Sequence, residues 1–533
     1  MAETTPALKE AATKAAPERM RGFDFATWRS GTDDPVMRST IIALVVLEKS
    51  PDWESLVSRF DRASRLAPAL RKKIVDQGGL TTPRLIFDNN FDLSFHLRRF
   101  RMPQNATWAD VLEDARRQSM TDFDRDRPLW RITLLEGLPG GKAAMIMKMH
   151  HAMIDGQGFV VLGATLFDLA PVGVDLGPMP DAPAGETLDR KGFAEAVVKD
   201  NFGWAAKTAH EFITGVGPAT LTALRRPTET VNRIASTVGS IARFTKIPMG
   251  PMSPIMRERS INYHFGTFEL PFLDIKTVGK STKHTANDVF MAGVAEGLGI
   301  YHKKLGTPVK TLRVNMPIST RKPGSGLENA VNVARFEMPI RMKDSIKLMD
   351  QMAALVADIR KEPAIAYANQ LGEISRLVPQ DIVSAAAQAS DVTASNVPGV
   401  PIPVWLAGAQ AIRMYPLVAT IGAAVNITML TYNGTATLGI SSDDAAVSNP
   451  ELLLKSFREG FASVLGQPIP DRNPVDPPAG EAGPAKKAPV KRAPARKAAP
   501  VKAAAKTTAP MKKAAAKKAP AKKAPAKESA ASG

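Results

Sequence analysis

Two adjacent histidines, followed by an aspartate and a glycine, are the side chains in this sequence best suited to proton transfer. They occur in the motif His150-His151-x-x-x-Asp155-Gly156. An imidazole exchanges protons near neutral pH, and a neighbouring carboxylate can hold it in place. Asp155-Gly156 is typical of a turn, because glycine tolerates positive φ. The motif therefore predicts a general base at the end of a structural element.

The element that positions these histidines is predicted to be a strand. The run Ala143–Met147 is short, apolar and preceded by glycines, as in a buried strand. Because side chains alternate along a strand, His150 is expected to lie on the face of Lys148 and to point away from the protein. His151 is expected to point into the protein, on the face that carries Met145, Met147 and Met149.

Two simpler interpretations of the histidine pair remain open. His150, His151 and Asp155 could ligate a metal, but adjacent strand residues diverge and no cysteine or further His-Asp cluster completes a ligand set. The sequence thus favours no metal site. The pair could also be purely structural.

The same residues match the HHxxxDG motif of the coenzyme A-dependent acyltransferase superfamily. Further blocks resemble the bacterial wax ester synthase/diacylglycerol acyltransferase family, in the family's order and over most of residues 80–470. These blocks are Phe91–Leu97 ("FDLxxH"), Arg127–Trp130 ("PLW"), Thr285–Val289 ("NDV"), Asn315–Ser319 ("PVS") and Ser395–Gly399 ("SNVPG").

This resemblance implies transfer of a long-chain acyl group from acyl-coenzyme A, as co-substrate, to a fatty alcohol or diacylglycerol, with no bound cofactor. It implies a catalytic role for His151, with His150 and Asp155 in the same motif. The implied substrate-binding residues are Pro128, Trp130, Gly156, Asn287, Asp288, Ser395 and Asn396. For two of these a structural role is the alternative: core packing for Trp130 and helix capping for Asn287.

Strands interspersed with helices in both halves predict an α/β fold, a two-layer α+β sandwich. The resemblance implies two chloramphenicol acetyltransferase-like domains joined by a helical linker. The predicted ranges are a flexible N-terminus (1–22), an N-terminal domain (23–175), a linker with amphipathic helices (176–254), a C-terminal domain (255–470) and a disordered tail (471–533).

Several local patterns give sharper predictions. Ser50-Pro51 predicts a helix N-terminus with Ser50 as the N-cap, and Thr285 with Asp288 predicts a capping box. Asn433-Gly434 is typical of a two-residue hairpin turn, and Ser395–Gly399 is expected to be a turn. A strand over Ile41–Leu47, a strand over Trp130–Leu135 and a helix from Trp108 towards Met120 complete the set.

Charge and composition bear on the partners. The net charge of +18 is concentrated in residues 481–533, which carry 15 Lys and Arg against two acids and leave only +5 for the rest. This Lys/Ala/Pro-rich tail is expected to bind DNA or other polyanions. The basic stretch 190–246 either lies on a lipid surface or packs on the body, and amphipathicity alone does not decide.

The chain has no cysteine, no recognisable signal peptide and no apolar run of membrane-spanning length. A cytoplasmic protein, peripherally associated with the inner membrane or lipid inclusions, is therefore expected. Two alternatives stay open: an HHxxxDG acyltransferase with another alcohol acceptor, and a non-catalytic scaffold on lipid droplets or DNA. The His150-x-x-x-x-Asp155 pattern of glycerolipid acyltransferases ranks below these, because the other blocks do not accompany it.

Overall fold

The computed structural model describes residue 20 and residues 22–76, 83–154, 162–173, 175–186, 250–319, 331–340, 344–361 and 378–475. Within these ranges the strands are β1 (Thr40–Leu47), β2 (Lys72–Val75), β3 (Arg84–Phe87), β4 (Leu97–Arg101), β5 (Trp130–Glu136), β6 (Ala143–His150), β7 (Tyr263–Pro271), β8 (Thr311–Ser319), β9 (Val331–Pro339), β10 (Val392–Val397), β11 (Trp405–Leu406), β12 (Ala409–Val418), β13 (Val425–Tyr432) and β14 (Thr435–Asp443). The helices are α1 (Gly22–Asp33), α2 (Trp53–Leu66), α3 (Leu93–His96), α4 (Trp108–Met120), α5 (Phe272–Thr282), α6 (Ala286–Lys304), α7 (Ser345–Arg360), α8 (Gln380–Gln388) and α9 (Pro450–Leu465).

The first large sheet places β6 near its centre. Its strand order is β11–β12–β1–β6–β5–β4. Side chains alternate along β6 as predicted, with Met145, Met147 and Met149 in the core that α2 covers. Ile146 faces the opposite core, which includes Trp108 of α4. Because protein covers both faces of the sheet, every residue of β6 is buried.

The second large sheet has the order β7–β14–β13–β10–β8–β9, and α6 and α9 pack together on one of its faces. The two helices approach closely at Gly297 of α6. A Cβ there would lie 2.6 Å from Cδ1 and 2.8 Å from Cα of Phe457. Glycine at this position therefore sets the spacing between the helices.

Strands β11 and β12 cross from the second half of the chain to the first sheet. β12 pairs antiparallel with β1, from Ile41 opposite Val418 to Leu47 opposite Ala411. The crossing begins after β10, at Gly399, where a Cβ would lie 2.0 Å from the carbonyl oxygen of Thr431. The range predicted as the C-terminal domain, 255–470, thus supplies strands to both sheets.

Segments beyond these sheets also pack on the body. Arginines of α2 bind main-chain oxygens of the predicted linker: Arg62 Nη2 donates to Pro178 O at 2.6 Å and Arg65 Nη1 to Pro180 O at 2.8 Å. Val475 is buried against the first sheet, and Lys142 Nζ donates to Pro474 O at 3.0 Å. The body therefore continues to the last described residue.

The predicted α/β fold is confirmed. Most local predictions are also confirmed, including the strands over Ile41–Leu47 and Trp130–Leu135 and the helix Trp108–Met120. The hairpin turn is confirmed by positive φ at Asn433 (43°) and Gly434 (79°).

Two local predictions are wrong. The N-cap of α2 is Asp52, whose Oδ1 accepts the Ser55 N–H at 2.9 Å, and not Ser50. Ser395–Gly399 does not form a turn: its first three residues belong to β10, because pairing with β13 holds them extended.

The predicted flexible N-terminus (except Met20 and Gly22), the basic stretch 190–246 and the tail from residue 476 lie outside the described residues. Within the described ranges, none of the helices combines the length and the apolar character needed to cross a bilayer.

Candidate active site

The histidine pair is fixed by main-chain hydrogen bonds to both neighbouring strands. His150 lies opposite Thr40 of β1, and its N–H donates to Leu129 O at 3.0 Å, beside β5. The next N–H, that of His151, donates to Ser39 O at 2.8 Å. The end of β6 therefore has a defined position although the chain turns immediately afterwards.

His150 is the more buried of the two histidines, and the prediction that it points away from the protein is wrong. It shares a face with Lys148 as expected, but Trp28 and Phe123 cover that face. Their rings meet the His150 ring edge-on, at centroid distances of 5.7 and 5.8 Å, and leave it 5% exposed. Burial lowers the pKa of His150 to about 3, so its imidazole is neutral at physiological pH.

The neutral imidazole of His150 holds the turn that carries His151. Its Nδ1 accepts the N–H of Ala152 at 3.1 Å, and its carbonyl oxygen accepts the N–H of Met153 at 2.9 Å. Because Nδ1 is an acceptor, the hydrogen bond assigns the ring proton to Nε2. His150 thus organises the turn through both its side chain and its main chain.

His151 lies in this turn, at residues 151–153, and its side chain is only partly buried. A partly exposed imidazole on an anchored main chain can reach a bound molecule while keeping its position. Asp155 and Gly156 lie outside the described residues, so their predicted roles remain predictions. Among the residues that the structure describes, no group of three or more His, Asp or Glu could hold a metal ion.

Asn287 lies in the first turn of α6, where main-chain N–H groups point outward. The predicted capping box is confirmed: the Asp288 N–H donates to Thr285 Oγ1 at 3.2 Å, and Asp288 Oδ2 accepts from the Thr285 N–H at 2.8 Å. This bonding occupies Asp288, which is 5% exposed, whereas Asn287 is partly exposed. Of the two residues, Asn287 is the one available to a ligand.

The start of α6 is also tied to a neighbouring helix. His284, next to the N-cap, pairs with Asp350 of α7 through Nε2 and Oδ1 at 3.1 Å. The His284 side chain is 6% exposed. This contact could not be predicted, because no sequence pattern links two residues on different helices.

Pro128 and Trp130 are buried beside the histidine pair. Trp130 belongs to the core under α2, and its Nε1 donates to Leu70 O at 2.8 Å. His96 stacks on its ring at a centroid distance of 4.2 Å, and His96 Nδ1 lies 2.8 Å from Trp130 O. Burial lowers the pKa of His96 to about 4. These contacts give Trp130 the structural role that sequence analysis left open.

Ser395 and Asn396 lie side by side on β10 but on opposite faces. Ala394 belongs to the core between the sheet and α6, so Ser395 points to the other face. There Ser395 lies next to Thr428 of β13, whereas Asn396 lies next to Met429 of that core. Both are partly exposed. A single ligand group would therefore not meet both side chains.

The face that carries Ser395 also connects the two sheets, through a buried residue that sequence analysis missed. Asn426 Nδ2 donates to Ala419 O at 3.2 Å, and Thr428 Oγ1 donates to Asn426 Oδ1 at 3.0 Å. The Ala419 N–H donates to Thr40 O at 2.9 Å, and Thr40 lies opposite His150. The sequence signal for this connection was the pair of polar residues, Asn426 and Thr428, at alternate positions of the otherwise mostly apolar strand β13.

Family models match most of the described body. The wax ester synthase/diacylglycerol acyltransferase catalytic domain matches residues 20–290, and the C-terminal domain of the same family matches residues 327–464. A putative diacylglycerol O-acyltransferase of Mycobacterium tuberculosis (strain ATCC 25618 / H37Rv) is 31% identical, over 83% of this chain and 91% of the relative. A second putative diacylglycerol O-acyltransferase from that strain is 26% identical, over 80% of this chain and 92% of the relative.

Solved structures share the fold. The wax ester synthase/diacylglycerol acyltransferase from Marinobacter aquaeolei VT8 superposes with a TM-score of 0.56 at 18% identity, over 84% of this chain and 98% of that one. The first condensation domain of the CDA synthetase gives a TM-score of 0.55 at 14% identity, over 86% of this chain and 98% of that one. The expected mixed α/β fold and two-domain architecture are thus confirmed. By the matched family models and its relatives, the chain belongs to the wax ester synthase/diacylglycerol acyltransferase family and is an acyltransferase.

Proposed function

We propose that the protein transfers a long-chain acyl group from acyl-coenzyme A to the hydroxyl of a fatty alcohol or a diacylglycerol, forming a wax ester or a triacylglycerol. The observation that carries the proposal is the histidine turn. His151 is partly exposed while its main chain is fixed, and the neighbouring His150 is buried and neutral. The two adjacent histidines therefore have different tasks.

His151 is the general base of the proposed reaction. Its imidazole accepts the proton of the acceptor hydroxyl as that oxygen attacks the thioester carbonyl. The tetrahedral intermediate then expels the coenzyme A thiolate, which receives the proton from His151. The acyl carbon exchanges a C–S bond for a C–O bond, and no net proton is gained or lost.

The negative oxygen of the intermediate needs a hydrogen-bond donor that is already in place. Asn287 fits this role, because it is partly exposed in the first turn of α6, close to outward-pointing N–H groups and to the positive end of the helix dipole. Its neighbour Asp288 is engaged in the cap and contributes by keeping that turn rigid.

Direct transfer, without an acyl-enzyme, is the proposed route. The chain contains no cysteine and no Gly-x-Ser-x-Gly sequence that would present an activated serine. Asp155 is proposed to orient the turn and the His151 ring, and not to exchange protons.

The acceptor class is proposed from the relatives, which are named as putative diacylglycerol O-acyltransferases, and from the family name, which also covers wax ester synthesis. Such substrates are lipids. We therefore propose a cytoplasmic location with peripheral attachment to the inner membrane or to lipid inclusions, and an accessory role in polyanion binding for the tail.

The test is esterification by the purified protein. Palmitoyl-coenzyme A is supplied with hexadecanol or with a diacylglycerol, and thiol release and lipid product are followed together. His151→Ala is expected to lower turnover by about a hundred- to ten-thousandfold while the fold survives. His264→Ala is the matched control, because His264 is a partly exposed histidine on β7 that pairs with Glu451.

Ester formation with either alcohol, lost in His151→Ala and kept in His264→Ala, would support the proposal and identify the preferred acceptor. Thiol release without ester would indicate hydrolysis. Near-full activity of His151→Ala would refute the role of His151, and no thiol release with any long-chain donor would favour the scaffold alternative. A chain ending at Pro477, the limit of the compact unit, would separate the body from the tail.

A further inference from the structure

Two arginines lie against one phenylalanine at the edge of the first sheet, and a third arginine lies on the same face of the sheet as one of them. The guanidinium carbon of Arg127 lies 4.2 Å from the ring centroid of Phe95, and that of Arg131 lies 4.9 Å from it. Arg98 is exposed on the edge strand β4 and shares a face of the sheet with Arg131. We call Arg98, Arg127 and Arg131 the arginine patch.

Arg131 also has a second positive neighbour, within the sheet. It lies directly opposite Lys148 of β6, and like charges at opposite positions of two strands destabilise a sheet. Lys148 is 2% exposed, and its Nζ donates to Thr121 O at 2.5 Å above the ring of Phe123. The patch is thus extended inward by a buried ammonium group, two residues before His150.

The neighbouring carboxylates neutralise only part of this charge. In the described part of the chain Asp124 pairs with Arg127, at 3.4 Å, and Asp122 pairs with Arg125, at 3.2 Å. Arg98 and Arg131 have no ion pair among the described residues, and Arg131 Nε is buried there without a hydrogen-bond partner. A buried N–H without an acceptor is unfavourable, and an anion bound beside the Arg131 guanidinium would compensate its charge.

Burial and the charge of Arg98 both lower the pKa of Arg131. Burial lowers the pKa of Lys148 to about 7, with Arg131 as the next cause. Both effects reflect positive charges held together with little compensation. An anion at this place would reverse them.

We propose that the arginine patch binds a phosphate group. Guanidinium groups bind phosphate through paired, charge-assisted hydrogen bonds. Arg131 and Arg127 both lie against the Phe95 ring, which places their guanidinium groups close together. Two molecules carry suitable phosphates: coenzyme A, in its diphosphate and 3′-phosphate, and an anionic phospholipid, in its headgroup. The coenzyme A source rests on the proposed function, whereas phosphate binding itself does not.

The first arm of the test measures coenzyme A. The Kd of the full-length protein for coenzyme A is measured by calorimetry, and KM is compared for palmitoyl-coenzyme A and for a palmitoyl-pantetheine thioester, which lacks the nucleotide and its phosphates. Arg131→Gln and Arg98→Gln are each expected to raise the Kd for coenzyme A about tenfold and to leave the KM for the pantetheine thioester unchanged. Because Kd is measured without turnover, this arm stands even if the protein proves inactive.

The second arm measures lipid. Co-sedimentation is compared for vesicles of phosphatidylcholine and vesicles that also contain phosphatidylglycerol, with the same variants. If the headgroup is the ligand, the variants lose binding to the anionic vesicles while the Kd for coenzyme A stays constant. Arg117→Gln is the matched control, since Arg117 is an exposed arginine of α4 that pairs with Glu113.

A selective loss in either arm, absent from Arg117→Gln, supports the phosphate site and identifies its source. Unchanged coenzyme A and vesicle binding in both patch variants overturns the proposal, as does an equal loss in Arg117→Gln, which would reflect only net charge. Circular dichroism and thermal unfolding show whether each variant is folded. If Arg131→Gln fails to fold, the result for Arg98→Gln, at an exposed position, decides whether the phosphate site exists.

Discussion

The histidine turn and the first turn of α6 both present a polar side chain, but they are held in different ways. The α6 turn is fixed locally, by a capping box between Thr285 and Asp288. The histidine turn is fixed by distant residues: Ser39 accepts the His151 N–H, and Trp28 covers His150. A short-range pattern therefore suffices to place Asn287, whereas the position of His151 requires the assembled sheet.

After His151→Ala, the largest effect is expected at the α6 turn. Asn287→Ala should lower kcat by about a hundred- to a thousandfold, because one donor to the oxyanion is lost. The free energy of unfolding should stay nearly constant, since the capping box is untouched. Steady-state kinetics and denaturant unfolding measure the two quantities. A rise in KM at constant kcat would instead make Asn287 a ground-state binding residue.

At the histidine turn, His150→Ala should cost stability as well as activity. The change removes a buried ring and the acceptor of the Ala152 N–H, and we expect a loss of about 2–4 kcal/mol in the free energy of unfolding. His150→Asn is the matched variant, because its Oδ1 can replace Nδ1 as the acceptor. If both variants unfold alike, the hydrogen bond to Ala152 does not hold the turn.

The buried histidines in and near the histidine turn should also make the stability of the protein depend on pH. His96 and His150 have pKa values lowered by burial to about 4 and about 3. Unfolding exposes both rings, which then bind protons below about pH 6.5, so stability is fully present above that pH and falls as the pH is lowered towards the folded pKa values. His96→Phe, which cannot be protonated, should reduce this fall by at least about 1.4 kcal/mol between pH 6.5 and pH 4. Unfolding curves at several pH values test it, and an unchanged slope would contradict it.

The smallest effect is expected from the cap itself. Thr285→Ala should cost about 1 kcal/mol of stability and reduce kcat less than tenfold, because Asp288 still accepts the main-chain N–H of residue 285. Thr285→Ser should restore the wild-type values. A loss of kcat as large as that of Asn287→Ala would mean that the cap, and not the amide, controls the site.

The same contrast explains what could be predicted from the sequence. The capping box and the Asn433-Gly434 hairpin depend on residues within a few positions of one another, and both were predicted correctly. The burial of His150 depends on Trp28 and Phe123, which no periodicity connects to it. The orientation of His150 was therefore predicted wrongly, although the alternation along its strand was predicted correctly.

Other limits of the prediction have similar causes. Ser50 and Asp52 both suit an N-cap, and only the packed helix shows that Asp52 is used. The whole block Ser395–Gly399 was expected to be a turn, but pairing with β13 extends β10 through residue 397. Family resemblance identified the blocks and their order, whereas the arginine patch joins two separate segments of the chain, and only Arg127 lies in one of those blocks.

The insertion of β11 and β12 into the first sheet restricts how the protein can be divided. A fragment that stops before β10 would leave one long edge of β1 without its partner, exposing main-chain donors and acceptors to aggregation. The second fragment would carry two strands with no sheet to join. Separate expression of the halves should therefore give insoluble products, and co-expression should restore a soluble pair. Because of this crossing, the two halves are not expected to fold independently, and they are suited to split-protein complementation.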